Sequence, residues 1–393
     1  MRAVTWQGHR AIRVETVPDP VLKESTDAVI RVTSSGLCGS DLHLYEMLTP
    51  FMTPGDIIGH EAMGIVEEVG RDVGNIGPGD RVVVPFNIAC GHCYMCDLRL
   101  YTQCETTQVR EHGTGAALFG YTKLYGAVDG AQAEYLRVPH ADFGPIKVPQ
   151  GPPDDRFLFL SDVLPTAWQG VEYADVPDEG TLLVLGLGPI GDMATRLALH
   201  RGFRVIAVDL VAERLSRGNA HGAEVIDLRQ VNDVADEVRS RTNGRGADSV
   251  LDAVGMEAHG SPIAAVSQRM AALLPRTVAA AMMRRGGIDR LAALHTAIDA
   301  VRRGGTISLS GVYGGQTDPL PMMTMFDKHI SVRMGQANVR RWLDDLMPLV
   351  IDDADPLGTE QFATHHLPLN DAPQAYSDFQ HKTDGTVKVV FNP

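Results

Sequence analysis

Up to about residue 160 the apolar positions fall in short alternating runs, AVIRVTSSG, GIVEEVG, GDRVVVP and AEYLRVP, each bounded by glycine, proline or polar turn residues. Alternation with period two predicts short strands. The segment GNIGPGD, with three glycines and a proline in seven residues, supplies the punctuation of a small, many-turned barrel. Near residue 163 the period changes. TAWQGVEYADV reads as a helix and TLLVLGLGPIG as a buried strand and turn. DMATRLALHRG is an amphipathic helix, RVIAVDL a second apolar strand, AERLSRGNAHGA a second helix, and DSVLDAVG and GTISLSGVYG are further strands. Strands alternating with helices at this spacing predict a parallel, doubly wound sheet, so the fold class is α/β with a second, β-rich domain.

Between Val254 and a strand starting near Thr306 lie about fifty residues, more than a plain helix-to-strand connection needs. SPIAAVSQRMAALL and IDRLAALHTAIDAVRR both carry helical periodicity, which predicts a helical insertion over about 256–303. After about residue 335 the pattern returns to loops and short elements, ending in the strand TVKVVF.

A chain of 393 residues suits two cores. Its apolar content of 44% and charged content of 21% are those of a water-soluble globular protein. The formal net charge of −14 argues against nucleic acid or an anionic membrane surface as partner, because either needs a basic face. The segment MRAVTWQGHRAIRVETV alternates like a strand and lacks the basic-then-apolar order of a signal peptide. No apolar run is long enough to span a bilayer, the Ala-rich stretch at 271–283 being broken by Pro275 and Arg276. The expected location is the cytoplasm.

Gly186, Gly188 and Gly191 have the GxGxxG spacing, with Pro189 and Ile190 between the last two. The spacing gains weight from its context, since it follows an apolar strand and opens an amphipathic helix. Gly186 would permit the tight turn, Gly188 the approach of a pyrophosphate, and Gly191 close packing of helix on strand. The helix N-terminus would then face the phosphates. Asp209 ends the next strand, where a carboxylate accepts from the adenosine ribose and repels a 2′-phosphate, so NAD is expected over NADP. Arg214 follows one turn later, placed to steady the ribose or reach a phosphate.

Four of the five cysteines, Cys90, Cys93, Cys96 and Cys104, crowd into fifteen residues, in a lobe at about 88–106. Four thiolates at such spacing bind zinc tetrahedrally and close the site, as a structural zinc requires. A ferredoxin-type run would place its fourth cysteine after three residues and follow it with proline. Here the gap is seven and Glu105 follows.

Cys38 is left over, in the run Gly36-Leu-Cys38-Gly-Ser40-Asp-Leu-His43. Downstream come Gly59-His60-Glu61 and, at the handover between domains, Ser161-Asp162-Val-Leu-Pro-Thr166. With these motifs, the cysteine lobe, GLGPIG, SGVYGG and MGQANV, the chain resembles the zinc-containing medium-chain alcohol dehydrogenases over nearly its whole length. It is most similar to their formaldehyde dehydrogenase-like, glutathione-independent branch.

The resemblance implies a GroES-like catalytic domain of 1–162 and 336–393 and a Rossmann NAD-binding domain of 163–335, with the active site in the cleft between them. It implies two zinc ions per chain. Cys38, His60 and Asp162 match the catalytic ligands, Asp162 standing where most members carry cysteine. Glu61 matches an alternate ligand, and which of Asp162 and Glu61 is the standing third ligand stays open. Ser40 and His43 match the family's proton relay. Thr166, Gly311, Val312 and Tyr313 match positions around the nicotinamide, and Phe86 is a candidate pocket wall.

The implied enzyme is an NAD-dependent dehydrogenase of a small alcohol or aldehyde, a homo-oligomer (dimer or tetramer). The insertion suggests a lid that retains NAD, which would make the enzyme an aldehyde dismutase. A non-catalytic dinucleotide-binding protein should have lost Cys38, His60, Ser40 and His43. A quinone or enoyl reductase would need neither zinc set.

Overall fold

The computed structural model describes residues 1–255, 291–313, 320–383 and 385–393. Most of the expected helical insertion therefore lies outside the described residues. The chain divides into two compact units, Met1–Pro165 with Ala337–Pro393, and Thr166–Gln336.

In the first unit, β1 (Arg2–Gly8) and β2 (Ala11–Thr16) form an antiparallel pair. The main sheet is built on β3 (Ala28–Leu37), which runs antiparallel to β4 (Glu61–Val69) along its length. β5 (Arg81–Val84) continues from β4, and β6 (Tyr135–Val138) pairs with the first half of β3. The short β7 (Ile146–Lys147) closes the far side of β5. Ile30, Val32, Ala62, Val66, Val82, Val84 and Leu136 interdigitate in one of the apolar cores that the alternating pattern predicts.

The second unit holds one six-stranded parallel sheet. Its strands are β8 (Thr181–Leu185), β9 (Arg204–Asp209), β10 (Glu224–Asp227), β11 (Ala247–Asp252), β12 (Val301–Leu309) and β13 (Ser331–Met334), in the order β10-β9-β8-β11-β12-β13. That is the doubly wound order with its switch point between β8 and β11. β8 is buried at all five residues, as a central parallel strand must be. Helices Val163–Ala174, Pro189–His200 and Ala212–Ala220 lie where the sequence places helices, within a few residues.

The expected helix reaching residue 303 instead ends at Ala300, and β12 starts five residues before Thr306. The cause is an irregularity: Ala247 pairs with Val301, but Ser249 pairs with Thr306. The intervening Arg302–Gly305 bulges out with Gly304 at φ +68°, so its local sequence looks like a turn.

The first unit is completed by β14 (His365–Pro368) and β15 (Val389–Asn392), the latter pairing with the second half of β3. No helix among the described residues is long and apolar enough to cross a membrane.

Candidate active site

β3 runs into Cys38, which begins the helix Gly39–Glu46. Asp41, third residue of that helix, accepts a hydrogen bond from the Cys38 N–H at 2.9 Å, fixing the turn that presents the Cys38 sulfur. His60 and Glu61 lie at the start of β4, opposite the end of β3, with Gly36 paired to Glu61. A side chain at Gly36 would run into the Glu61 carboxylate, since its Cβ would lie 2.3 Å from Oε2. Asp162 follows the 3-10 turn Phe159–Ser161, which is tied back when Phe86 donates its N–H to the Ser161 carbonyl.

These turns bring Cys38, His60, Glu61 and Asp162 together, all buried, with one donor atom of each within 4.8 Å of every other. Asp162 Oδ2 lies 3.3 Å from Cys38 Sγ and 3.3 Å from His60 Nε2. Tetrahedral zinc, with its ordinary bond lengths, sets sulfur and oxygen about 3.5 Å apart and nitrogen and oxygen about 3.3 Å apart. The donors fit that ion in spacing and in chemistry.

Burial and the Asp162 charge push the Cys38 thiol up to about 11. Burial disfavours an imidazolium at His60, yet Asp41 and Asp162 outweigh it and hold the ring's proton well above the ordinary range. A metal-free cluster thus carries protons that a divalent cation displaces on binding. Asp41 Oδ1 lies 3.2 Å behind His60 Nδ1, and neither atom has another hydrogen-bond partner among the described residues. A carboxylate in that place fixes the tautomer, leaving Nε2 to face the cluster.

Glu61 is engaged from the other side. The Lys388 ammonium donates to Glu61 Oε1 and, at 3.0 Å, to the Leu37 carbonyl, and both side chains are fully buried. Burial alone would discharge the lysine, but Glu61 and the Cys38 sulfur hold it above the ordinary lysine range. Glu61 Oε2 is buried and has no hydrogen-bond partner among the described residues, which leaves one oxygen to face a cation.

Ser40 Oγ lies 3.8 Å from Cys38 Sγ, and His43, one turn along the same helix, is buried. The Phe86 and Tyr121 rings stand edge-on to the His60 imidazole at 6.3 and 6.5 Å between centroids.

Asp41, Lys388 and Tyr121 were not among the residues singled out from the sequence. Asp41 had a signal, the N-cap-to-third-residue spacing within CGSD. Lys388 had one too, a lysine among valines in TVKVVF.

Cys90, Cys93, Cys96 and Cys104 form a second cluster with all four sulfurs within 4.8 Å of one another. Cys93 Sγ and Cys104 Sγ are 3.9 Å apart, against roughly 3.8 Å for two thiolates on one tetrahedral zinc. The N–H groups of Cys90 and Glu105 donate to the Cys104 and Cys93 sulfurs at 3.3 Å each. Burial opposes a thiolate at Cys93, but backbone donors from Cys96 and Glu105 bring its thiol down to about 6. Burial and the Cys93 sulfur push the Cys96 thiol the other way.

In the second unit Gly186, at φ +85°, turns the chain out of β8, and Gly188 caps the helix that Pro189 and Ile190 begin. A Cβ on Gly191 would lie 1.8 Å from the Gly186 carbonyl oxygen, so only glycine lets helix and strand meet. Asp209 ends β9 and accepts from Leu187 N–H at 2.7 Å on one oxygen and from Leu210 and Val211 N–H on the other. It therefore holds the glycine turn in place and keeps acceptor capacity for a ribose. Arg214 Nη1 lies 3.7 Å from the position a Gly188 Cβ would take.

Gly311 donates its N–H to the Asp252 carbonyl at the ends of β11 and β12, and the Tyr313 hydroxyl donates to the buried Asp252 carboxylate. Val312 is exposed. Thr166 lies in the helix Val163–Ala174.

Two family models match the chain: the alcohol dehydrogenase GroES-like domain over residues 24–150 and the zinc-binding dehydrogenase over 189–269. The chain is 39% identical to the zinc-type alcohol dehydrogenase-like protein AdhB of Bacillus subtilis, over all of both chains. It is 32% identical to a formaldehyde dismutase of Pseudomonas putida, over all of this chain and 97% of the relative. Among solved structures it is similar to the alcohol dehydrogenase TADH from Thermus sp. ATN1, with a TM-score of 0.82 and 34% identity over all of this chain and 99% of the other. By its sequence and its fold, the chain belongs to the zinc-type medium-chain alcohol dehydrogenases.

Proposed function

We propose that this oxidoreductase passes a hydride between NAD and a small alcohol or aldehyde of the formaldehyde kind, at a zinc held by Cys38, His60 and Asp162. The observation that carries the reading is the meeting of Cys38 Sγ and His60 Nε2 on one oxygen of Asp162 at the spacing of zinc ligands. A zinc ion bound there supplies Lewis acidity that eases loss of the substrate hydroxyl proton, and NAD supplies the hydride acceptor.

The chain's own residues do the rest. Cys38 and Asp162 bring two negative charges that offset the ion, and Asp41, beside Nδ1, orients the His60 ring so that Nε2 faces them. Ser40 would accept the hydroxyl proton as it releases its own toward His43, and His43 would hand a proton to solvent. Phe86 and Tyr121 limit the substrate's size beside His60. Cys90, Cys93, Cys96 and Cys104 hold a second zinc that staples their lobe.

An NAD-linked activity screen over alcohols and aldehydes, with and without glutathione, tests the reading. A preparation holding two zinc ions that turns over none of them overturns it. The likeness to a formaldehyde dismutase favours a second reading, in which bound NAD cycles as one aldehyde is oxidised and another reduced. Purified protein whose NAD exchanges freely speaks for the simple dehydrogenase.

NAD is preferred because the Asp209 carboxylate accepts from ribose hydroxyls and repels a 2′-phosphate. In Asp209→Ala the ratio of kcat/KM for NAD over NADP should fall by roughly tenfold or more, the worth of a charged hydrogen bond. An unchanged ratio removes Asp209 from the cofactor reading.

We further infer a homo-oligomer, a dimer or a tetramer. Among the described residues β13 is an edge strand of the six-stranded sheet, and its Val332 and Met334 are exposed, as are Met322, Met323 and Phe326 on the helix Met322–Asp327. An apolar strand edge of this kind is one that proteins keep covered. A second copy related by a two-fold axis would cover it with its own β13. Val332→Lys with Met334→Lys should shift the molecular mass measured by light scattering to that of one chain, and a wild-type monomer overturns the inference.

A further inference from the structure

The carboxylate behind His60 is itself held from behind. Asp41 Oδ2 lies 3.5 Å from Gln132 Nε2, which also donates to the Gly36 carbonyl at 3.3 Å. Gln132 Oε1 accepts from the Tyr376 hydroxyl at 2.9 Å. Gln132 and Tyr376 are both 0% exposed, so each depends on these protein partners. The orientation of the amide follows from its neighbours. Turned the other way, its oxygen would face a carbonyl and a carboxylate, two acceptors with no proton between them. Nε2 therefore faces Asp41, and Tyr376 is the donor to Oε1. Tyr376 lies on the helix Ala372–His381, with its ring against Tyr45 at 5.6 Å between centroids.

We propose that Gln132 and Tyr376 are positioning residues for the metal site, a relay of hydrogen bonds that clamps Asp41 so that the His60 ring presents Nε2 toward Cys38 and Asp162. The proposal rests on reading Cys38, His60 and Asp162 as zinc ligands. Without the clamp Asp41 Oδ2 keeps only the Cys38 N–H at 2.9 Å, and the carboxylate that sets the His60 tautomer is held from one side in place of two. Filling the core is the competing role for both side chains. It asks only for their volume, whereas the clamp asks for the amide and the hydroxyl.

Tyr376→Phe and Gln132→Met keep the volume and remove the polar atoms. The measurement is the release of zinc from the purified holoenzyme to a chelator, followed with a metal-sensitive dye. The wild type should release two zinc ions in two phases, and the phase absent from Cys38→Ser identifies the ion held by Cys38. That phase should quicken by about tenfold in Gln132→Met and by less in Tyr376→Phe, at the lower end of what such supporting groups contribute to metal retention. The phase belonging to the four cysteines should stay as it was. Cobalt(II) in place of zinc should report the same selectivity through its visible absorption.

If both phases quicken together, or neither does, the clamp is overturned and the pair serves packing alone. If the wild type holds a single zinc with one phase that survives Cys38→Ser, the underlying zinc reading fails and the clamp fails with it.

Discussion

Lys388→Met lowers the unfolding free energy of this protein by about 3–5 kcal/mol, the usual consequence of removing one member of a buried ion pair. Both Lys388 and Glu61 are fully buried, and the lysine is the one ammonium that any hydrogen bond among the described residues places on Glu61. Methionine fills the space of the lysine stem but leaves the Glu61 carboxylate without the ammonium that faces Oε1. The check is a urea unfolding curve on metal-loaded protein, with a lower midpoint and an unchanged slope. The double variant Glu61→Gln with Lys388→Met should recover a large part of the loss, because the orphaned charge is gone. If the double variant is no more stable than Lys388→Met alone, the two residues are not coupled and the ion pair is not what holds this corner together.

Cys38→Ser abolishes turnover, with a fall in kcat/KM of at least about a thousandfold, since Lewis-acid catalysis contributes several kcal/mol and each 1.4 kcal/mol is a factor of ten. Metal analysis should give one zinc where the wild type gives two, while thermal stability changes little. Cys104→Ser should also leave one zinc, but with a lower thermal midpoint, because among the described residues the lobe's sulfurs pack against little more than Ala89, Ala116, Tyr101 and Phe143, and an ion bound there would supply folding energy. A Cys38→Ser protein that keeps both zinc ions, or keeps its activity, sinks the assignment of the catalytic metal to this cluster.

The elements legible in the sequence are those whose period is unbroken. β8, β9 and the helix Pro189–His200 show on their own, because an all-buried run and an amphipathic stretch are local patterns. β13 has four exposed residues and no alternation to find, and the start of β12 hides in a bulge of arginines and glycines.

The site divides in the same way. Four cysteines in fifteen residues and a GxGxxG turn are legible from spacing. Cys38, His60 and Asp162, with 124 positions between the first and the last, become a set only through family resemblance, and the fold is what puts Cys38 and His60 each 3.3 Å from Asp162. Lys388 escaped notice because alternation in TVKVVF leaves it the look of a solvent-facing lysine. β15 lies between β14 and β3, so Lys388, Val389 and Val390 are all buried. Gln132 and Tyr376 carry no sequence signal, since an amide and a phenol acquire this role only from neighbours 91 and 244 residues away.

That distance bears on how the protein is made. Cys38, His60, Glu61 and Asp162 all leave the ribosome long before Lys388, which meets Glu61 across 327 positions of chain. For most of synthesis the first unit exists as a crowd of carboxylates and a thiol without their buried counter-charge, and without the tyrosine that steadies Asp41. Domains that fold as they emerge cannot finish this one early. Closing so long a loop makes its last step a slow one. A nascent chain stalled short of β15 would hold Cys38, His60, Glu61 and Asp162 yet remain open to proteolysis, and would hold zinc less firmly than the finished chain if those residues are its ligands. Closing of this cluster thus waits for the synthesis of Lys388 and β15, although Cys38, His60, Glu61 and Asp162 are made far earlier.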